Sequence, residues 1–276
     1  MTGQQALLAA AARLAAAGVV QPATDARRLL AHAMGIPPER LTLHLAEAID
    51  TDAEYRFERM LAARGARQPV SQIIGFRGFW GRDFLVTRDV LDPRPETETL
   101  IAEALERPFD RVLDLGTGSG AILITLLAER PAASGTGVDV SAAALAVARD
   151  NADRLGVSAR ATLLQSDWFE AISGPYDLIV ANPPYISETE MESLAPEVRD
   201  WEPHVALTPG GDGLGAYRAI TAGALRHLAE GGRMIVEIGP SQGIAVARLF
   251  RAAGLTDIRV HPDLDGRDRI VSGISP

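Results

Sequence analysis

From Arg111 to the end of the chain, short apolar runs alternate with amphipathic stretches of helical period. This alternation constrains the fold more than any other feature, because strands separated by helices pair in parallel and carry helices on both faces of the sheet. It predicts strands at 111–115, 135–140, 161–166, 176–181, 232–238, 257–262 and 268–274. The helices between them centre on 119–129, 142–155, 213–229 and 241–253. The last two strands are joined only by Asp263-Leu264-Asp265-Gly266-Arg267. That link is too short for a crossover helix, so this final pair is expected to be antiparallel.

The first part of the chain reads differently, with helices and no convincing strand. Residues 4–17 are Ala-rich and helix-prone. Thr24-Asp25 opens a second helical stretch, which Gly35 and Pro37-Pro38 end. A short piece spans Arg40 to Leu45, and Asp50-Thr51-Asp52 caps a further helix to about Ala66. Leu29, Leu30, Met34, Leu41, Leu43, Leu45 and Phe57 are its expected core. Residues 70–92 change character: Val70, Ile73 and Ile74, then Phe76-Arg77-Gly78-Phe79-Trp80-Gly81 and Phe84-Leu85-Val86, read as a hairpin connector. Phe79 and Trp80 either bury or bind, and packing between domains is expected ahead of ligand contact. Pro93-Arg94-Pro95-Glu96-Thr97-Glu98 follows, and its spacing leaves open whether it is a linker or a cover for a site. The division is therefore 1–69 helical, 70–92 connector and 93–276 α/β.

Composition removes several chemistries. The 276 residues contain no cysteine, which excludes disulfides, zinc–thiolate sites and thiol nucleophiles. Every strong base is arginine, so neither a Schiff-base lysine nor a P-loop lysine is available. The net charge of −9 argues against non-specific duplex binding, which needs many cationic phosphate contacts. No apolar run reaches the length of about 18 residues that suits a membrane span. A cytoplasmic protein, acting as a monomer without membrane or nucleic-acid partners, is the expectation.

Chemistry concentrates in four loops that the parallel pattern brings to one sheet edge. The first is Gly116-Thr117-Gly118-Ser119-Gly120, between a strand ending in Asp114-Leu115 and a helix start. Glycines let backbone approach a ligand, and the helix start offers free N–H groups. Alone, this loop suits a dinucleotide pyrophosphate equally well. The second is Asp139, placed to accept from ribose hydroxyls, although an acid there can also belong to a helix cap. The third, Ser166-Asp167-Trp168-Phe169, puts a carboxylate and aromatics where an adenine would be bonded and flanked; Trp168 is otherwise core. Together they favour S-adenosylmethionine over a dinucleotide.

The fourth loop is Asn182-Pro183-Pro184-Tyr185. Asn-Pro alone is most simply a tight turn, but here two prolines end an apolar strand and hold a stiff, extended ledge. The Asn182 side-chain oxygen and the Pro183 carbonyl are two acceptors, able to hold both hydrogens of a planar NH2 group. Tyr185 offers a ring face or a hydroxyl.

With these motifs the chain resembles the PrmC (HemK) protein-(glutamine-N5) methyltransferases along essentially its whole length. The resemblance implies an α/β class I (Rossmann-like) methyltransferase sheet with a final antiparallel strand, plus a small N-terminal helical bundle and a hairpin connector. It implies methylation of the Gly-Gly-Gln glutamine of class-one peptide-chain release factors. Gly116, Thr117, Gly118, Ser119, Gly120, Asp139, Asp167, Trp168 and Asn182 would contact S-adenosylmethionine, and Asn182, Pro183, Pro184 and Tyr185 would grip the glutamine, with Asn182 and Pro183 as the catalytic pair. Asp92 departs from the family, which usually has an apolar residue before Pro-Arg-Pro. Two other acceptors suit the same ledge: a glutamine of a ribosomal protein, and the adenine amino group of a nucleic acid. Glu188, Glu190 and His204 are expected to be solvated loop residues, and Glu237 and the 266–269 run to hold sheet-edge structure.

Overall fold

The computed structural model describes the whole chain, Met1–Pro276. It contains two compact units: residues 1–76 with 195–201, and residues 77–194 with 202–276.

The first unit is helical, built on Gly3–Ala16, Pro22–Met34 and Thr51–Gly65. Thr2 and Gln5 form a reciprocal capping box at the first helix. Asp50 caps the third, accepting from the Ala53 N–H at 2.8 Å. Leu14, Leu29, Leu30, Leu41, Phe57 and Leu61 fill the core between them. Three expectations are corrected here. The second helix starts at Pro22, whose missing N–H costs nothing in a first turn; Asp25 is buried one turn in, paired with Arg64 at 2.7 Å. Leu43 is 71% exposed and lies outside the core. Val70–Ile74 is a short helix, not a hairpin arm, because Pro69 starts it and Gly75 closes it in a left-handed conformation.

The segment 195–201 joins this unit through charge pairing. Glu197 takes Arg64 at 2.9 Å on one oxygen and Arg67 at 2.7 Å on the other. Gln72 also donates to the Trp201 carbonyl at 3.1 Å. Nothing in the local pattern of 195–201 announces that membership.

A small hairpin, β1 (Phe76–Phe79) and β2 (Arg82–Leu85), begins at the last residue of the first unit and opens the second. Phe79 and Phe84 meet edge to face at 6.0 Å inside this unit's own core, which corrects the expectation that Phe79 and Trp80 pack between domains. Trp80 donates its backbone N–H to the Glu98 carboxylate at 2.7 Å.

Seven strands follow: β3 (Arg111–Leu115), β4 (Ser134–Asp139), β5 (Ala161–Gln165), β6 (Tyr176–Ala181), β7 (Leu228–Glu237), β8 (Thr256–Pro262) and β9 (Asp268–Ile274). Their order in the sheet is β5-β4-β3-β6-β7-β9-β8. The first five are parallel, whereas β9 runs antiparallel to both β7 and β8. β7 begins at Leu228 rather than at 232, with a register irregularity opposite the start of β6.

Alternate residues of the central strands feed opposite layers. Val112, Leu178 and Val180 pack with Leu123, Ile124 and Leu126 of the helix Ala121–Glu129. Leu113, Leu115 and Ile179 pack with Tyr217, Ile220 and Phe250. Burial on both faces is why these strands read as unbroken apolar runs. Each fully buried large side chain contributes about 2 kcal/mol of transfer free energy. Register aligns the strand ends: Leu115 lies opposite Val138 and Ala181, and Asp139 opposite Gln165. The chain winds outward from β3 in both directions, so the crevice of such a sheet opens at these carboxyl ends.

Candidate active site

The carboxyl ends of β3, β4, β5 and β6 surround one cavity of about 480 Å³. That volume falls in the range of small-molecule sites. Gly116, Thr117, Gly118, Ser119, Asp139, Asp167, Trp168, Asn182 and Pro184 all line it.

The glycine loop is folded by its own neighbours. Asp114, fully buried at the end of β3, accepts from the Thr117 hydroxyl at 2.7 Å and from the Leu123 N–H at 3.3 Å. Burial pushes its carboxyl up to about 7, the nearby Asp139 adding to the effect while these hydrogen bonds oppose it. Gly118 adopts φ +55° on the cavity wall, a conformation that strains residues with a β-carbon. Asp139 accepts from the Gly118 N–H and from the Ser141 N–H, both at 2.9 Å, and so ties the loop to the end of β4. Burial also raises the Asp139 carboxyl above its ordinary value, against these bonds. Ser141, not Asp139, caps the following helix through the Ala144 N–H.

Two predicted contacts change role. Gly120 is absent from the cavity wall. A β-carbon there would come within 2.7 Å of Ile124 and 3.3 Å of Ala148, so this glycine serves helix packing. Phe169 turns away from the cavity and stacks on His227, ring centroids 4.5 Å apart. Trp168 alone presents an aromatic ring to the cavity from that loop, with Asp167 exposed beside it.

Within the ledge, Asn182 and Pro184 face the cavity, whereas Pro183 is buried and Tyr185 packs against the core of one sheet face. The Tyr185 carbonyl accepts from Gln242 Nε2 at 2.9 Å, and Gln242 Oε1 in turn accepts from the Gly239 N–H at 3.0 Å. Burial, with Glu237 adding, pushes the Tyr185 phenol up to about 12.

Sequence reasoning missed the supports of the ledge. The segment 93–98 resolves in favour of the site: Pro93, Arg94 and Thr97 all reach the cavity wall. Arg94 contacts both carboxylate oxygens of buried Glu202, at 2.8 and 2.6 Å. Burial nonetheless outweighs Arg94 and pushes Glu202 up to about 7, with Asp92 adding to the rise. Asp92 is thus buried beside a second acid. Thr97 bonds to Asn182 on one side and to Glu237 on the other. Glu237 is 1% exposed at the end of β7, and burial pushes it up to about 7. It therefore supports the site as well as the sheet. Arg269, from the 266–269 run, pairs with Asp263 at 3.0 Å. Glu188 and His204 are exposed, and Glu190 closes a local capping box with Ser187.

The residues present fit an adenosyl methyl donor. A loop with helix-start N–H groups, a carboxylate at the second strand and an aromatic ring at the third supply the contacts it needs. A sheet of this order, closed by an antiparallel strand, is that of the class I methyltransferases. A methyltransferase from Pyrococcus furiosus superposes with a TM-score of 0.55 at 14% identity, covering 79% of this chain and 96% of its own.

The sequence comparisons narrow the class. The family model of the methyltransferase small domain matches residues 88–212, and that of the PrmC N-terminal domain matches residues 5–75. The release factor glutamine methyltransferase of Cereibacter sphaeroides is 63% identical over 276 residues, covering 100% of this chain and 99% of that protein. That of Caulobacter vibrioides is 45% identical, covering 99% of this chain and 96% of that protein. The chain belongs to the PrmC (HemK) family of methyltransferases. No helix in it is long and apolar enough to cross a membrane.

Proposed function

We propose that this protein transfers a methyl group from S-adenosylmethionine to the side-chain amide nitrogen of the glutamine in the Gly-Gly-Gln motif of class-one release factors. The carrying observation is that Asn182 and the glycine loop share one cavity, so an amide acceptor and a methyl donor can meet there. The names of the similar proteins from Cereibacter and Caulobacter support the same substrate.

Gly116 to Ser119, Asp139, Asp167 and Trp168 would carry most of the binding of the donor, with Asn182 also touching it, and the donor's sulfonium would supply an electrophilic methyl group. The rest is positioning. An amide nitrogen is a poor nucleophile because its lone pair is delocalised into the carbonyl. The Asn182 side-chain oxygen and the Pro183 carbonyl would accept from its two N–H groups, orienting the nitrogen and enriching it. Pro184 would confine the glutamine stem, with Tyr185 packed behind it to hold the ledge in place. As the nitrogen–methyl bond formed, the sulfur–methyl bond would break, S-adenosylhomocysteine would leave and one amide proton would pass to solvent; that proton becomes acidic only as the new bond forms, so no general base is required before attack.

We assign recognition of the body of the protein substrate to the helical residues 1–69, and transfer to 93–276. A release-factor substrate also places the reaction in the cytoplasm, where translation ends. The test is mass spectrometry of the Gly-Gly-Gln peptide from a release factor incubated with the protein and S-adenosylmethionine. One added methyl on the glutamine is expected. An unmodified peptide, with donor binding intact, would overturn the reading and redirect the search to a ribosomal protein or a nucleic acid.

A further inference from the structure

Asn182 carries an ambiguity that its motif does not resolve. A side-chain amide has a donor end and an acceptor end of nearly the same shape, and only the acceptor end can take a substrate N–H. Something must hold the oxygen toward the cavity.

The neighbouring contacts supply it. Thr97 has a single hydroxyl hydrogen, and its oxygen lies 2.6 Å from Glu237 Oε2. An ionised carboxylate only accepts, so the Thr97 hydrogen goes to Glu237 and a lone pair is left facing Asn182. Asn182 Nδ2 lies 3.3 Å from that lone pair and donates to it. A flipped amide would set its oxygen against the Thr97 lone pair and lose the bond.

We infer that Thr97 and Glu237 are positioning residues, forming a polar relay that fixes the Asn182 amide with its oxygen turned to the cavity. This rests on the glutamine-methylating reading of the site. The relay is well anchored. Thr97 is buried and β-branched, with few rotamers to explore, and its N–H donates to the Arg94 carbonyl at 3.1 Å. Glu237 ends a central strand, and its own carbonyl accepts from the Tyr217 hydroxyl at 2.9 Å. Burial raises the Glu237 carboxyl and Glu96 adds to that, while Thr97, Arg269 and Arg94 favour the ionised form. The relay has its working polarity above the Glu237 titration.

The test uses the full-length protein at pH 8, comparing Thr97→Val, which keeps the shape and removes the hydroxyl, with Thr97→Ser, which restores it. For Thr97→Val, kcat should fall about tenfold while donor affinity and KM for the release factor stay within about threefold. Thr97→Ser should recover kcat to within about threefold of the parent. The second readout needs no substrate: the Asn182 side-chain NH2 resonances in donor-bound protein should shift in Thr97→Val and return in Thr97→Ser. Parental kcat in Thr97→Val, or unchanged Asn182 resonances, would overturn the relay. If the parent protein itself leaves the glutamine unmodified, the substrate reading falls, and the Asn182 resonances then decide the relay alone.

Discussion

The glycine loop and the Asn-Pro-Pro-Tyr ledge stand on the same cavity but are built in opposite ways. The loop's supports are the nearer ones: Asp114 reaches Thr117 three residues on and Leu123 nine residues on, and Asp139, 21 residues from Gly118 on the neighbouring strand, ties it down. The ledge gets its stiffness from its own prolines, but its posture comes from far away. Thr97 lies 85 residues from Asn182, Glu237 lies 140 from Thr97, and Gln242 lies 57 from Tyr185. A site whose support is local can be read as a motif. A site whose support is remote shows its chemistry in sequence and hides what aims it.

If the two regions are separable, each can be damaged without the other. Gly118→Val is expected to have the largest effect on the loop. A β-branched residue at φ +55° costs about 2 kcal/mol of strain, and its side chain would also enter the cavity. Together these should weaken S-adenosylmethionine binding about 100-fold, read by calorimetric titration. Affinity within threefold of the parent would show that the loop is not the donor site.

Gln242→Leu is the counterpart at the ledge. It releases the Tyr185 carbonyl and the Gly239 N–H together. Turnover should fall about tenfold with donor affinity within about twofold. Equal loss of turnover and donor affinity would break the separation.

Stability against pH gives a third test. Glu237 titrates at about 7 in the folded protein, above its ordinary value of 4.5. The folded state therefore binds more protons than the unfolded state between those values. Its contribution is full below pH 4.5 and is lost as pH rises through about 7. Ionising it in place costs about 3 kcal/mol. Urea unfolding of Glu237→Gln from pH 5 to 8 should show a shallower decline than the parent, with the slope from Asp114 and Glu202, both also titrating at about 7, left in place. Parallel declines would contradict the burial of an ionisable Glu237.

The sheet was legible because strands buried on both faces leave unbroken apolar runs, and these place β3 to β9 to within a few residues. The loop and the ledge were legible because backbone conformation and chemistry there are set by glycine and proline. Three kinds of feature were not. The helix Val70–Ile74 is too short for periodicity to separate it from a strand. Phe169 and Trp168 are adjacent aromatics, and only the packing of Phe169 on His227 sends one inward and leaves the other at the cavity. Glu237 reads as a strand-end acid, and its bond to Thr97 exists only once β7 and the 93–98 segment meet.

On the proposed function, the loop holds a methyl donor while Asn182 holds the acceptor amide. Asn182→Ala tests it most directly, with S-adenosylmethionine affinity and single-turnover methyl transfer to a release factor measured on the same preparation. Donor affinity near the parental value with transfer slowed at least about 100-fold is the predicted result. Transfer at the parental rate would contradict the claim, as would a loss of donor affinity large enough to account for the slowing.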